Sequence, residues 1–134
     1  MSARSRNKGA TFEREVAREL YLLTGIGFAR NLEQCRDAAL ADLVPDDPAF
    51  PFVVECKRRG NGARCEPAWI AQVEAAAAAA GKLPAVVFRF DRAPVRVAVP
   101  MHAILPTLPA NEWAEITLPA FAALAAEVMA RRHV

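Results

Sequence analysis

Residues 50–57 read FPFVVECK, and this run decides the fold. Its apolar residues are nearly continuous rather than alternating, the composition of a strand covered on both faces. The GNG triplet at 60–62 ends it. A strand covered on both sides needs helices on both sides of its sheet. Within it, Glu55 and Lys57 stand two residues apart and share one face, while Cys56 points to the other and packs as a small hydrophobe.

Upstream, residues 41–44 form a brief strand, and 45–48, with Pro45 and Pro48 flanking Asp46 and Asp47, form a turn. The two strands read as a hairpin. Residues 10–24 read as a helix, because Phe12, Val16, Leu20 and Leu23 recur at helical spacing and Gly25 follows. A short strand at 27–31 and a polar connection at 32–39 link that helix to the hairpin. Downstream, 66–80 reads as a second helix, with Pro67 in its first turn, an alanine run that allows close packing, and Gly81 after it.

Strands follow at 84–90 and 95–99, with 91–94 as the turn between them. Beyond Pro100, one helical turn is expected at 102–105 and a terminal helix at 118–132, with Phe121, Leu124, Ala125 and Val128 inward. Helix, strands, helix, strands, helix is the order of an α/β domain, and two hairpins make the sheet mixed rather than parallel. The expected organisation is a basic, mobile arm (1–9), a core (10–99) and a C-terminal helical extension of the same domain (100–134).

A chain of 134 residues supports one hydrophobic core and therefore one site. Its longest apolar stretches, 75–80 and 83–88, fall well short of the roughly 20 residues that cross a bilayer. The first residues are basic with no apolar run after them, so no secretory signal is read and a cytoplasmic protein is expected. Cys35, Cys56 and Cys65 cannot all pair and have no C-x₂-C spacing, so reduced thiols are expected. P-loop, G-x-S-x-G and G-x-G-x-x-G patterns are absent. His102 and His133 read as structural or surface residues. Trp69 and Trp113 could stack on bases but are better read as core.

Net charge is only +2, but its distribution is uneven. Arg4, Arg6 and Lys8 occur without an acid in the first nine residues, and Lys57, Arg58, Arg59 and Arg64 occur without one across 57–64. Both clusters can face phosphate or can be solvated surface.

Asp42 precedes Glu55 by thirteen residues. If the two strands pair through the turn at 45–48, two carboxylates and the Lys57 ammonium converge. Such a donor set suits Mg²⁺, which takes oxygen ligands and shares its shell with water and phosphate. The chemistry it would supply is water activation and charge stabilisation at a phosphate. Lys57 would orient the attacking water and help neutralise the transition state. A bare D…E-x-K pattern also recurs by chance in strands that carry surface salt bridges.

ADLV (41–44) followed by FVVECK (52–57) resembles the D…E-x-K signature of PD-(D/E)XK nucleases. RNKGATFEREVAREL (6–20) resembles the opening helix of archaeal and phage Holliday junction resolvases. GIGFARN (25–31) and the strand pair AVVFRF and VRVAV follow in compatible order, so the resemblance covers residues 6–99. It implies a restriction-endonuclease-like single domain, with Glu13, Asp42, Glu55 and Lys57 as catalytic residues and Asp42, Glu55 and Glu13 as metal ligands.

The resemblance also implies Mg²⁺, with Mn²⁺ able to substitute. Arg4, Arg6, Lys8, Arg14, Arg30, Arg58 and Arg59 would contact DNA. Gln72 stands where many such nucleases carry a supporting glutamine, though packing or capping accounts for it equally well. A carboxylate early in a helix is also favourable against the positive end of the dipole, and Glu15 is an alternative to Glu13. The implied substrate is branched DNA, cut by a homodimer in recombination, repair or phage DNA processing. Alternatives are a duplex nickase, a restriction-like or phage DNA-processing endonuclease, and a DNA-binding accessory protein without cleavage. The proline-rich turn at 46–51, the polar 32–39 connection and the alanine-rich helix depart from the pattern and bear on junction preference.

Overall fold

The computed structural model describes residues 3–32 and 41–132. In chain order the elements are α1 (Ala3–Thr24), β1 (Phe28–Arg30), β2 (Leu43–Pro45), β3 (Phe52–Arg59), α2 (Pro67–Ala80), β4 (Leu83–Phe90), β5 (Arg96–Pro100), α3 (Met101–Ile104), β6 (Trp113–Ile116) and α4 (Leu118–Arg132). The six strands lie in sequence order in one sheet. Among the described residues only β3 and β4 run parallel, joined by the α2 crossover, and every other neighbouring pair is antiparallel. This is the expected mixed sheet flanked by helices.

The period-two geometry of β3 sorts its residues between two layers. Phe52, Val54 and Cys56 join Phe12, Val16 and Leu20 of α1 and Phe121, Ala125 and Val128 of α4. Val53 faces α2, where Trp69, Val73, Ala76 and Ala77 pack on Val86, Phe88 and Phe90 of β4. Small alanines let α2 lie close to the sheet, and Gly81 ends that helix in the left-handed conformation (φ 67°) that a Cβ disfavours. On the opposite layer, edge-to-face rings of Phe28, Phe50, Phe52 and Phe121 fill the space under α1 and α4. Burying each such side chain contributes roughly 1.5–3 kcal/mol.

Helix α1 begins at Ala3 rather than at residue 10, so residues 3–9, expected as an arm, are its first turns. Gly9 and the polar run before it obscured this, because glycine is a poor helix former and no apolar stripe marks those turns. The stretch after Pro100, expected to be helical, also supplies the edge strand β6, paired with β5 from Val97↔Ile116 to Pro100↔Trp113. Most of the 32–39 connection, together with Cys35 and His133, lies outside the described residues, as do the side chains of Arg4 and Arg6. Among the described residues no helix is long and apolar enough to cross a membrane.

Candidate active site

Strands β2 and β3 share one register pair, Leu43↔Val54. One step further along the same register, Asp42 stands opposite Glu55, and here β2 has already left the ladder. The Cys56 N–H, facing the gap, donates instead to Asp42 Oδ2 at 2.7 Å. The Asn31 N–H donates to the Asp42 carbonyl at 2.8 Å, fixing the backbone from the β1 side. Asp42 is therefore held by the backbone of both neighbouring strands, and its side chain replaces a missing ladder contact.

Asp42 is 5% exposed and Glu55 is fully buried. Neither Glu55 oxygen receives a hydrogen bond from a donor. Burial, and then the adjacent Asp42 carboxyl, push the Glu55 pKa up to about 9, while Lys57 pulls in the opposite direction and Glu13 adds to the rise. Two facing carboxyls cannot bond until one is protonated, and a proton on Glu55 can then be shared with Asp42. A buried acid without a donor is costly unless something positive joins it.

Glu13 enters the same cluster from α1. Its carboxyl accepts from Arg30 Nε at 2.8 Å. Burial raises its pKa above the ordinary value, the Arg30 hydrogen bond works against that rise, and the Asp42 charge adds to it. Glu15 lies on the opposite flank of α1, lining a cavity with Arg89. Of Glu13 and Glu15, Glu13 is the one whose charge is felt at Asp42 and Glu55.

Lys57 and Glu55 share the α2 side of β3, as period two requires. Lys57 Nζ donates to Gln72 Oε1 on α2 at 2.8 Å. This bond sets the direction of a long, flexible side chain. Replacing Gln72 with leucine, which keeps bulk and removes the acceptor, is expected to lower cleavage about tenfold, the size typical of an outer-shell partner. Single-turnover rates beside DNA affinity check this: affinity should stay unchanged, and restoration of the rate in Gln72→Glu would tie the effect to the acceptor.

The paired carboxyls of Asp42 and Glu55, with both Glu55 oxygens lacking donors, fit a hard cation that uses one or two protein carboxylates and completes its shell with water and phosphate. Glu13 is already engaged by Arg30. Among the described residues no three His, Cys, Asp or Glu side chains are grouped to hold a metal.

The basic residues singled out in the sequence are placed differently from one another. Arg14, Arg59 and Arg64 are exposed, and the Arg59 guanidinium lies 5.5 Å from the ring centre of Trp69. Arg30 is drawn to Glu13. Arg58 is largely covered, with Nη2 2.6 Å from Asp91 Oδ1 and Nη1 donating to the Arg59 carbonyl at 2.7 Å. Lys8 Nζ reaches the same Asp91 oxygen at 3.0 Å. Asp91 and Arg89 were not picked out from the sequence, since a turn acid and a strand arginine carry no motif. Trp69 is buried and stacked on Phe90, and Trp113 packs against the same cluster.

No curated protein matches the sequence. Among solved structures, Archaeoglobus fulgidus Hjc, a Holliday junction resolvase from an archaeal hyperthermophile, is similar with a TM-score of 0.57 at 19% identity, over 88% of this chain and 98% of that one. Residues 4–123 match the family described as "Phage putative PDDEXK endonuclease". The match takes in Glu13, Asp42, Glu55 and Lys57 and runs past Pro100 through β6 into α4. With the D…E-x-K residues gathered at the gap between β2 and β3, and the match spanning most of its length, the chain belongs to this PDDEXK endonuclease family.

Proposed function

We propose that the protein is a divalent-metal-dependent DNA endonuclease that hydrolyses phosphodiester bonds in branched DNA, with the four-way Holliday junction as its substrate and a homodimer as the working unit. The observation that carries the chemistry is the buried Glu55 carboxyl, without a donor, beside Asp42 and two residues before Lys57. Asp42 and Glu55 would hold the cation, with Glu13 at the edge of the set. When bound there, a cation supplies positive charge to the phosphate and acidifies water.

The chain's own residues do the rest. Asp42 is aimed by the Cys56 N–H. Glu55 would be ionised, its proton passing to solvent, with a cation held beside it. Lys57, steered by Gln72, neutralises charge developing on the phosphate oxygens. Arg14, Arg59 and Lys8 supply sequence-independent contacts to the backbone.

The junction preference is supported by the K-G-x-x-x-E-R pattern at residues 8–14 and by a fold shared with a resolvase. Two sites related by a twofold axis can nick two opposed strands of a symmetric junction. The test incubates the protein with supercoiled plasmid, linear duplex and a synthetic four-way junction in Mg²⁺, Mn²⁺ or EDTA. Paired nicks in the junction with either metal and none in EDTA are expected. Equal cutting of duplex would move the substrate to general phage DNA processing, and binding without cleavage in any metal would overturn the nuclease reading.

A further inference from the structure

A cavity of about 410 Å³ opens between α1 and the C-terminal ends of β3 and β4. Three elements each send a cation to it: Lys8 from α1, Arg58 from β3 and Arg89 from β4. Asn7 and Thr11 add hydrogen-bonding side chains, and Glu15 is the acid on its wall. Arg58 follows Lys57 directly on β3, and period two sends the two side chains to opposite faces, Lys57 toward α2 and Arg58 toward α1 and the cavity.

Two of these cations, Lys8 and Arg58, meet on an anion that belongs to the protein. One oxygen of Asp91, in the turn after β4, sits 3.0 Å from Lys8 Nζ and 2.6 Å from Arg58 Nη2. That is the environment a phosphate oxygen receives from a lysine and an arginine on separate elements. Arg58 is positioned in advance, its Nη1 resting on the carbonyls of Arg59 and Arg89. Arg89 is fixed by its Nε on the Ala93 carbonyl at 3.0 Å. Asp91, by contrast, is about half exposed (47%) and sits in a turn, so it can leave without disturbing the core.

We propose that this cavity is a second phosphate subsite for the bound DNA strand, with Lys8, Arg58 and Arg89 as its cations and the Asp91 carboxylate engaging Lys8 and Arg58 in place of the phosphate in the free protein. The proposal rests on the DNA endonuclease reading above. A strand cut at the catalytic cluster needs a neighbouring phosphate anchored to hold its register, and backbone contacts of this type perform that task without reading sequence. Asp91 keeps Lys8 and Arg58 ordered in the absence of DNA and yields to a phosphate with more charge and more acceptor oxygens.

The test measures affinity for a labelled four-way junction by fluorescence anisotropy in EDTA, across a series of KCl concentrations, with cleavage measured separately in Mg²⁺. Arg89→Gln and Lys8→Gln are each expected to weaken binding about tenfold and to reduce the slope of log affinity against log salt by about 1. Asp91→Asn is expected to tighten binding about fivefold at low salt, because the competing carboxylate is gone. Lys8 lies on the exposed side of α1, so its variant carries the test if Arg89→Gln fails to fold. Unchanged affinity and slope in Lys8→Gln and Asp91→Asn, with wild-type protein still binding and cutting the junction, would overturn the subsite and leave the nuclease reading standing. Failure of the wild-type protein to bind DNA would overturn both.

Discussion

Lys57→Ala is expected to bind junction DNA as the wild type does and to cut it about 10²- to 10³-fold more slowly, the loss seen when one donor to developing charge is removed. The reason is local. Lys57 is half-buried and held by Gln72 at 2.8 Å, so its ammonium is placed rather than freely solvated, and its effect is expected where charge builds up on the phosphate. Ground-state affinity is expected to come mainly from other cations spread over the surface. Single-turnover cleavage and equilibrium binding, measured on the same preparation, separate the two. A Lys57→Ala protein that folds normally but loses binding and cleavage together would show that Lys57 only anchors the backbone.

Glu55→Gln is expected to abolish cleavage and, in metal-free buffer, to make the folded protein more stable than the wild type at pH 8. The folded protein holds the Glu55 carboxyl up to about 9, against an ordinary value of 4.5, through burial first and Asp42 second. Below the ordinary value both folded and unfolded chains carry the proton and the stability contribution is complete. As pH rises above it, the unfolded chain releases a proton that the folded protein keeps, so wild-type stability falls steadily until about pH 9. One unit of pKa corresponds to ~1.4 kcal/mol, and the loss over the window is on the order of a few kcal/mol.

Glutamine has no proton to lose, so the variant lacks this decline. Glu13, also raised, is present in both proteins, so the part of its shift that comes from burial is common to the comparison. Urea unfolding in EDTA at pH 5, 7 and 8.5 reads the difference: the gap between variant and wild type should widen with pH. Added Mg²⁺ should raise wild-type stability, since a ligand of the folded state shifts the equilibrium toward it, and should raise the variant's far less. Parallel pH profiles and equal responses to Mg²⁺ would remove Glu55 from the proposed metal site.

Much of this was legible in residue order because it depends on short-range rules. The run at 50–57 read as a covered strand, and β3 occupies Phe52–Arg59; period two placed Glu55 beside Lys57, and a short turn made Asp42 their neighbour. The bounds expected for the terminal helix, 118–132, are those observed. By contrast β6, four residues long between turns, has no pattern of its own and is a strand because β5 offers it an edge.

The sequence by itself determined the α/β layering and the Asp42, Glu55, Lys57 constellation, since alternation and loop length act within a few residues. Tertiary structure decided which helix carboxylate joins it. Glu13 and Glu15 are equivalent by spacing, and only the seating of α1 across β3, with Arg30 arriving from β1, turns Glu13 toward Asp42. It likewise decided that Arg58 is sequestered with Asp91 and Lys8 while its neighbour Arg59 lies exposed over Trp69. Contacts between residues dozens of positions apart depend on how layers pack, and local pattern carries no record of that.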